Sequence, residues 1–170
     1  MALMALGIDI ILPAFDDIRS TFGLSDSGGQ ERQIITIYFI GLAIAQLFFG
    51  PLSDWFGRKP VLYIGISIYL IGAIGSALAP SFSLLMTARF VWGIGAAGSR
   101  VVAVAIIRDS FEGNRMAKAM SEIMAVFVLV PIVAPALGAG IIAIFPWQGI
   151  FWFCVIWAVA IGAWSLRLSE

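Results

Sequence analysis

Residues 33–53, 60–88 and 123–166 contain no charged side chain, and residues 90–107 contain only Arg100. A helix needs about 20 apolar residues to cross the hydrocarbon core of a bilayer, where only helices and closed barrels satisfy their backbone groups. Unbroken runs of this length therefore predict membrane-spanning helices. Two of the runs exceed one span and carry breakers. Pro80-Ser81-Phe82-Ser83 divides the second and Phe145-Pro146-Trp147-Gln148-Gly149 the third, since proline removes a backbone donor and glycine loosens a helix. With the apolar start of the chain, the pattern predicts six spans in one unit, residues 1–170, placed near 2–18, 34–53, 61–79, 84–107, 119–144 and 147–166. Residues 20–33 read as a polar loop. The expected fold class is all-α, a polytopic membrane bundle of six transmembrane helices.

Composition agrees. The chain is 61% hydrophobic and 12% charged, with a mean hydropathy of +1.03, whereas soluble domains are about one-quarter charged. Ten acidic residues cancel ten basic ones, so no excess field exists to hold nucleic acid. The single cysteine, Cys154, excludes an intrachain disulfide. With no histidine and no C-x-x-C there is no metal-site pattern, and no cofactor is implied. The apolar start lacks the basic n-region and small-residue cleavage site of a signal peptide, and Asp9 interrupts it, so it reads as the first span. Six basic residues, Arg58, Lys59, Arg108, Arg115, Lys118 and Arg167, fall on one side of the connections, and two, Arg19 and Arg32, on the other. The positive-inside bias then predicts both chain ends in the cytoplasm. Phe82 and Trp147 are expected as aromatic anchors at the outer interface.

The link between spans two and three combines glycines, a carboxylate and two cations. Asp54, at the C-terminal end of its helix, meets the negative end of the macrodipole and so implies a positive partner. Gly50 and Gly57 are expected to allow close backbone approach, and Arg58 and Lys59 to fix positive charge at the boundary. The pattern G-x-L-x-D-x-x-G-R-K-x-x-L, matched at Gly50, Leu52, Asp54, Gly57, Arg58, Lys59 and Leu62, resembles the loop-2/3 signature of the major facilitator superfamily. Trp55 stands where a basic residue is common.

Span four supplies a second constellation. Arg89, Gly93, Gly95, Ala96 and Ala97 resemble the superfamily's span-four pattern R-x-x-Q-G-x-G-A-A, with Trp92 in place of the glutamine as an expected aromatic wall. An arginine in hydrocarbon costs about 2.5–3.5 kcal/mol on insertion scales, so it should face the bundle interior or a watery cavity. Arg100 lies eleven residues beyond Arg89, nearly on the same helix face, so both arginines can line one cavity. Asp9 is the one carboxylate deep in a span. It lies about 10 Å from Asp16 along the axis, and Arg89 about 9 Å from Ser83, which puts the two at one depth. Asp9 and Arg89 are thus expected to form an ion pair or water-bridged couple. Either protonation of Asp9 releases it, or it is permanent and merely holds spans one and four together.

Span five carries Pro131 and Pro135 followed by small residues, which predicts a kinked pivot. Pro135 and Gly138 resemble part of the exporters' antiporter signature, G-x-x-x-G-P-x-x-G-G, with Val130, Ala134 and Ala139 at usual glycine positions; a plain proline-kinked helix is the other reading. With Asp9-Ile10-Ile11-Leu12-Pro13 and Ile107-Arg108-Asp109-Ser110-Phe111, nearly the whole chain resembles drug:proton antiporters of the bicyclomycin/chloramphenicol-resistance type. Residues 108–118 are expected as a charged cytoplasmic loop beside 54–59, and the resemblance implies a network of such charges, with Arg58 and Asp109 the first pair to test. The loop after span one is expected to be solvated, with Gly28-Gly29 as its hinge and no chemistry.

The resemblance implies a twelve-span transporter in two six-span halves, each a 3+3 repeat, with the substrate site between them near the midplane. This chain would be the N-terminal half, in the inner membrane of a bacterium. Both ends look clipped, and a fragment or truncated frame is the expectation. The implied partners are the bilayer, protons, a small amphipathic substrate, and a missing C-terminal half or a second copy. Expected function is proton-coupled efflux, with Asp9 as proton carrier and Arg89 as countercharge. An enzyme is not expected, since a Ser–His dyad cannot form without histidine and no aspartate cluster holds a metal. A third reading is a non-transporting subunit that binds a partner chain.

Overall fold

The computed structural model of the chain describes residues 2–25 and 29–165. The described residues form helices and short links, and no strand occurs among them.

The first predicted span is not one helix. α1 (Ala2–Asp9) stops, a 3₁₀ turn covers Leu12–Ala14, and α2 (Phe15–Phe22) follows. Pro13 is the cause. It has no N–H to give the Asp9 carbonyl four residues back, and its ring would collide with that oxygen. The chain recovers through a bond from the Ala14 N–H to the Ile11 carbonyl, 2.9 Å. α2 then has Asp16 and Asp17 in its first turn and Arg19 towards its end, as the macrodipole favours, and closes on Gly23 at φ +63°. Residues 20–22, expected in a loop, therefore belong to this helix. Of the expected hinge, Gly28 lies outside the described residues, and Gly29 adopts φ +54°.

The remaining spans are α3 (Gln33–Phe56), α4 (Arg58–Ala77), α5 (Phe82–Ser110), α6 (Gly113–Ile142) and α7 (Gln148–Ser165), all long and apolar enough to cross a membrane. α3 and α4 are separated by Gly57 alone, at φ +88° and ψ 160°, a conformation open to glycine and strained for a side chain. Pro60 falls in the first turn of α4, where its missing donor costs nothing. Ser81 caps α5 by accepting from the Leu84 N–H at 3.3 Å. The expected charged loop 108–118 shrinks to Phe111 and Glu112, because α5 continues to Ser110 and α6 starts at Gly113. Arg115 and Lys118 therefore ride on a helix. α6 runs unbroken through Pro131 and Pro135. The last residue of the sixth predicted span lies outside the described residues.

α5 is the centre of the bundle, packed chiefly on α3 and α4, while α6 leans mainly on α1 and the Leu12–Ala14 turn. Small residues set these distances. A Cβ at Gly93 would collide with the Tyr38 carbonyl of α3, and one at Gly95 with the Tyr69 backbone of α4. Gly50 does not act this way. A Cβ there would meet nothing within 4 Å, because the residue faces an open cleft, so the expected close approach is corrected.

Candidate functional site

Two groups of polar side chains stand out, one buried at the bundle centre and one at the end where α3, α4 and α5 meet.

The buried group is built on Arg89 of α5, 1% exposed. Its Nη1 donates to the Gly7 carbonyl at 2.8 Å. That carbonyl is among the last four of α1, which have no partner within the helix, so the guanidinium caps the end of a helix and meets the favourable pole of its dipole. Two tyrosines also bond to α1, one turn earlier. The Tyr38 hydroxyl donates to the Met4 carbonyl at 3.2 Å and the Tyr69 hydroxyl to the Leu3 carbonyl at 3.3 Å. The guanidinium carbon lies 4.6 Å from the Trp92 ring centre, 5.1 Å from Phe151 and 5.9 Å from Tyr38, within cation–π range. Trp92 in turn contacts Tyr38, Tyr69 and Phe151 edge to face, with centroids 5.3 to 6.2 Å apart. Arg89 Nε and Nη2 and Trp92 Nε1 are buried without a hydrogen-bond partner among the described residues.

Several expectations change here. Arg89 and Asp9 do not form an ion pair. The break after Asp9 offers a backbone carbonyl to the guanidinium instead, and the Asp9 side chain, half-buried, is in no ion pair among the described residues. Trp92 is a fully buried hub of four aromatic rings rather than the wall of an open cavity. Arg89 and Arg100 do not share a cavity either, because Arg89 is sealed in the aromatic box while Arg100 lines the cleft between α3 and α5.

That cleft, about 520 Å³, contains the second group. Arg58 Nε donates to Asp109 Oδ2 at 2.9 Å and its Nη1 to Asp54 Oδ1 at 2.6 Å and to the Ser53 hydroxyl. Each charge is badly placed for its own helix. Asp54 and Asp109 stand at the C-terminal ends of α3 and α5, and Arg58 opens α4. Bringing them together cancels three unfavourable dipole interactions at once. The structure thus brings Asp54, Arg58 and Asp109 together and places Arg100 and Arg108 in the same cleft. Lys59 follows Arg58 in the first turn of α4 and does not line the cleft.

On α6, Gly138 packs on the Ile10 carbonyl and the Pro13 ring, inside the break of the first span. Pro131 is exposed and Pro135 half-buried.

Sequence reasoning missed a third cluster at the opposite end of the bundle. Arg19 pairs with Glu31 at 3.0 Å, and the Glu31 side chain is only 6% exposed. Phe22 packs on Phe82 and Trp147, and the Trp147 indole donates to Thr21 at 3.1 Å. Trp147, 5% exposed, is packing rather than an anchor at the lipid interface. The only signal in the sequence was the coincidence of Arg19, Phe22 and Glu31 in a segment otherwise read as solvated.

The chain whose glycine-laced bundle holds this charged cleft and buried arginine matches the family model of the Major Facilitator Superfamily over residues 1–170. The chain belongs to the major facilitator superfamily. Over 168 residues it is 36% identical to the multidrug resistance protein MdtL of Escherichia coli O81 (strain ED1a) and 35% identical to that of Shigella dysenteriae serotype 1 (strain Sd197). Each alignment covers 99% of this chain and 42% of the relative. The chain thus spans about two-fifths of the length of the curated relatives it matches. Superfamily membership and five long apolar helices make it a multi-pass membrane protein, and its relatives point to transport rather than catalysis.

Proposed function

We propose that this chain forms the N-terminal six-span part of a proton-coupled exporter of small amphipathic drugs or metabolites, in a bacterial inner membrane with both ends of the unit cytoplasmic. The names of its relatives support the substrate class, and the six-to-two bias of basic residues supports the orientation. The observation that carries the mechanism is the state of Arg89. Its guanidinium holds the carbonyl of Gly7, two residues from Asp9 on the same helix, and keeps two nitrogens without a partner. A deprotonated Asp9 can take those nitrogens when α1 shifts about its break, and a protonated Asp9 releases them, leaving the guanidinium on the Gly7 carbonyl alone. Proton uptake would then be converted into movement of α1 against α5.

Pro131, Pro135 and Gly138 support the same reading as the pivot on which α1 moves, and the Arg58 cluster as the catch that steadies one conformation. The test is substrate efflux driven by an imposed pH gradient, measured with the complete transporter polypeptide in proteoliposomes. Asp9→Asn is expected to abolish gradient-driven efflux while leaving substrate binding. Retention of coupled efflux by this variant would rule out the switching role.

A second reading makes the chain a subunit that works only with another six-span unit. It is favoured by the large apolar side chains exposed along α6, from Val126 to Ile132, and by Leu47 and Phe48 on α3. Stable co-purification with a second unit, and no efflux by the chain alone, would distinguish it.

A further inference from the structure

The cleft between α3 and α5 holds more positive charge than its ion pairs use. Its charged lining is Asp54, Arg58, Arg100, Arg108 and Asp109. Arg58 is taken up by both carboxylates. Arg100 and Arg108 make no ion pair or hydrogen bond with any described residue, so one positive charge remains in excess in a concave, half-buried site.

The two free arginines are placed to act on one ligand. Residues 100, 104 and 108 follow one another at i+4 spacing along one face of α5, and Val104 lines the cleft between the arginines. Their Cα atoms are about 12 Å apart along the axis, so two long side chains can reach the space between them from either end. A guanidinium presents a planar fork of N–H donors that matches the oxygens of a phosphate. The carboxylates of Asp54, across the cleft on α3, and of Asp109, next to Arg108 on α5, oppose any further negative charge, which restricts the site to a monoanion. A guanidinium half-buried ten residues inside the end of a membrane helix also needs a countercharge, and none of the described side chains supplies it.

We infer that this cleft binds a phosphate-bearing monoanion between the guanidinium groups of Arg100 and Arg108, with Arg58 held out of the site by its two carboxylates. The headgroup of an anionic phospholipid and free inorganic phosphate offer the same chemistry. The inference does not depend on the transport reading.

The full chain is purified into nanodiscs of phosphatidylcholine alone or mixed with phosphatidylglycerol, and retained lipid is read by native mass spectrometry. Phosphatidylglycerol is expected to be retained about tenfold over phosphatidylcholine, the scale of a lost charge-assisted contact. The double variant R100Q/R108Q loses the preference, and R115Q, on α6 outside the cleft, keeps it. Single substitution of the exposed Arg108 (R108Q) lowers the preference without disturbing the bundle interior. Inorganic phosphate, added to the discs that contain phosphatidylglycerol against chloride at matched ionic strength, distinguishes the sources in the unsubstituted chain. A rise in Tm with displacement of phosphatidylglycerol assigns the site to free phosphate. Unchanged Tm with retained phosphatidylglycerol assigns it to a lipid headgroup. Equal retention of both lipids together with no effect of phosphate overturns the inference. So does a preference that survives in R100Q/R108Q, or one that vanishes because a second copy fills the cleft.

Discussion

Gly138 of α6 lies directly against the carbonyl of Ile10, in the gap that Pro13 opens in the first span. A methyl group there would meet backbone rather than the movable end of a side chain. Gly138→Ala is therefore expected to lower stability by about 1–3 kcal/mol, the range for overpacking. Gly140→Ala, two residues on and with nothing within 4 Å of its added Cβ, should be neutral or stabilise by about 0.5–1 kcal/mol. Unfolding of both variants in matched detergent checks the contrast, and equal effects would refute it.

The tyrosines that bond to α1 carry a smaller share. Tyr38→Phe and Tyr69→Phe each remove one hydroxyl donor to a buried carbonyl, and each is expected to cost about 0.5–1.5 kcal/mol. Arg89→Ala removes a cap, three cation–π contacts and packing volume together. It should cost more than about 2 kcal/mol. Denaturant titration of the three variants gives the order, with Arg89→Ala last to survive only if this account is wrong.

At the charged end, Asp54 and Asp109 share one cation. The pairs are exposed, so Asp54→Asn and Asp109→Asn should each cost only about 0.2–1 kcal/mol. The double substitution strands Arg58 at the start of α4, where the dipole opposes it, and should cost more than the sum of the singles. A double-mutant cycle measures that excess, and strict additivity would show that the two carboxylates act separately.

Arg19 pairs with Asp16 and Glu31 among the described residues, and the two differ in burial. Asp16 is 89% exposed and Glu31 only 6%. Glu31→Gln should cost clearly more stability than Asp16→Asn, since it breaks the covered pair, whereas Asp16→Asn should change stability by less than about 0.5 kcal/mol. Thermal unfolding of the two variants side by side decides the matter, and equal losses would count against the burial argument.

The second to sixth spans were legible because charge-free runs and proline breaks are strong local signals. Helix ends were less so. Charged residues such as Arg115 and Lys118 read as loop, although a membrane helix can carry them once it leaves the hydrocarbon. The break in the first span was written in Pro13, yet the apolar residues on both sides concealed it. Arg89 was visible as a costly intramembrane charge, but its partner was not, because a backbone carbonyl has no sequence signature. Glu31 was lost for a related reason: a carboxylate in a polar segment looks solvated until the fold covers it.

One residue of chain, Gly57, links α3 to α4. A residue reaches about 3.5 Å at most, so the two helix ends cannot part at that point, and Arg58 ties the same corner to α5. The three helices are leashed together at one end and pressed together by glycine contacts along their length. α6 is tied to that trio only at one end, through the two residues Phe111 and Glu112 after α5, and along its length leans chiefly on α1 and the Leu12–Ala14 turn. Within this unit, displacement is therefore cheapest along the seam between α1 with α6 and the trio. Cysteine pairs placed across that seam should report changing distances, while pairs within the trio stay fixed.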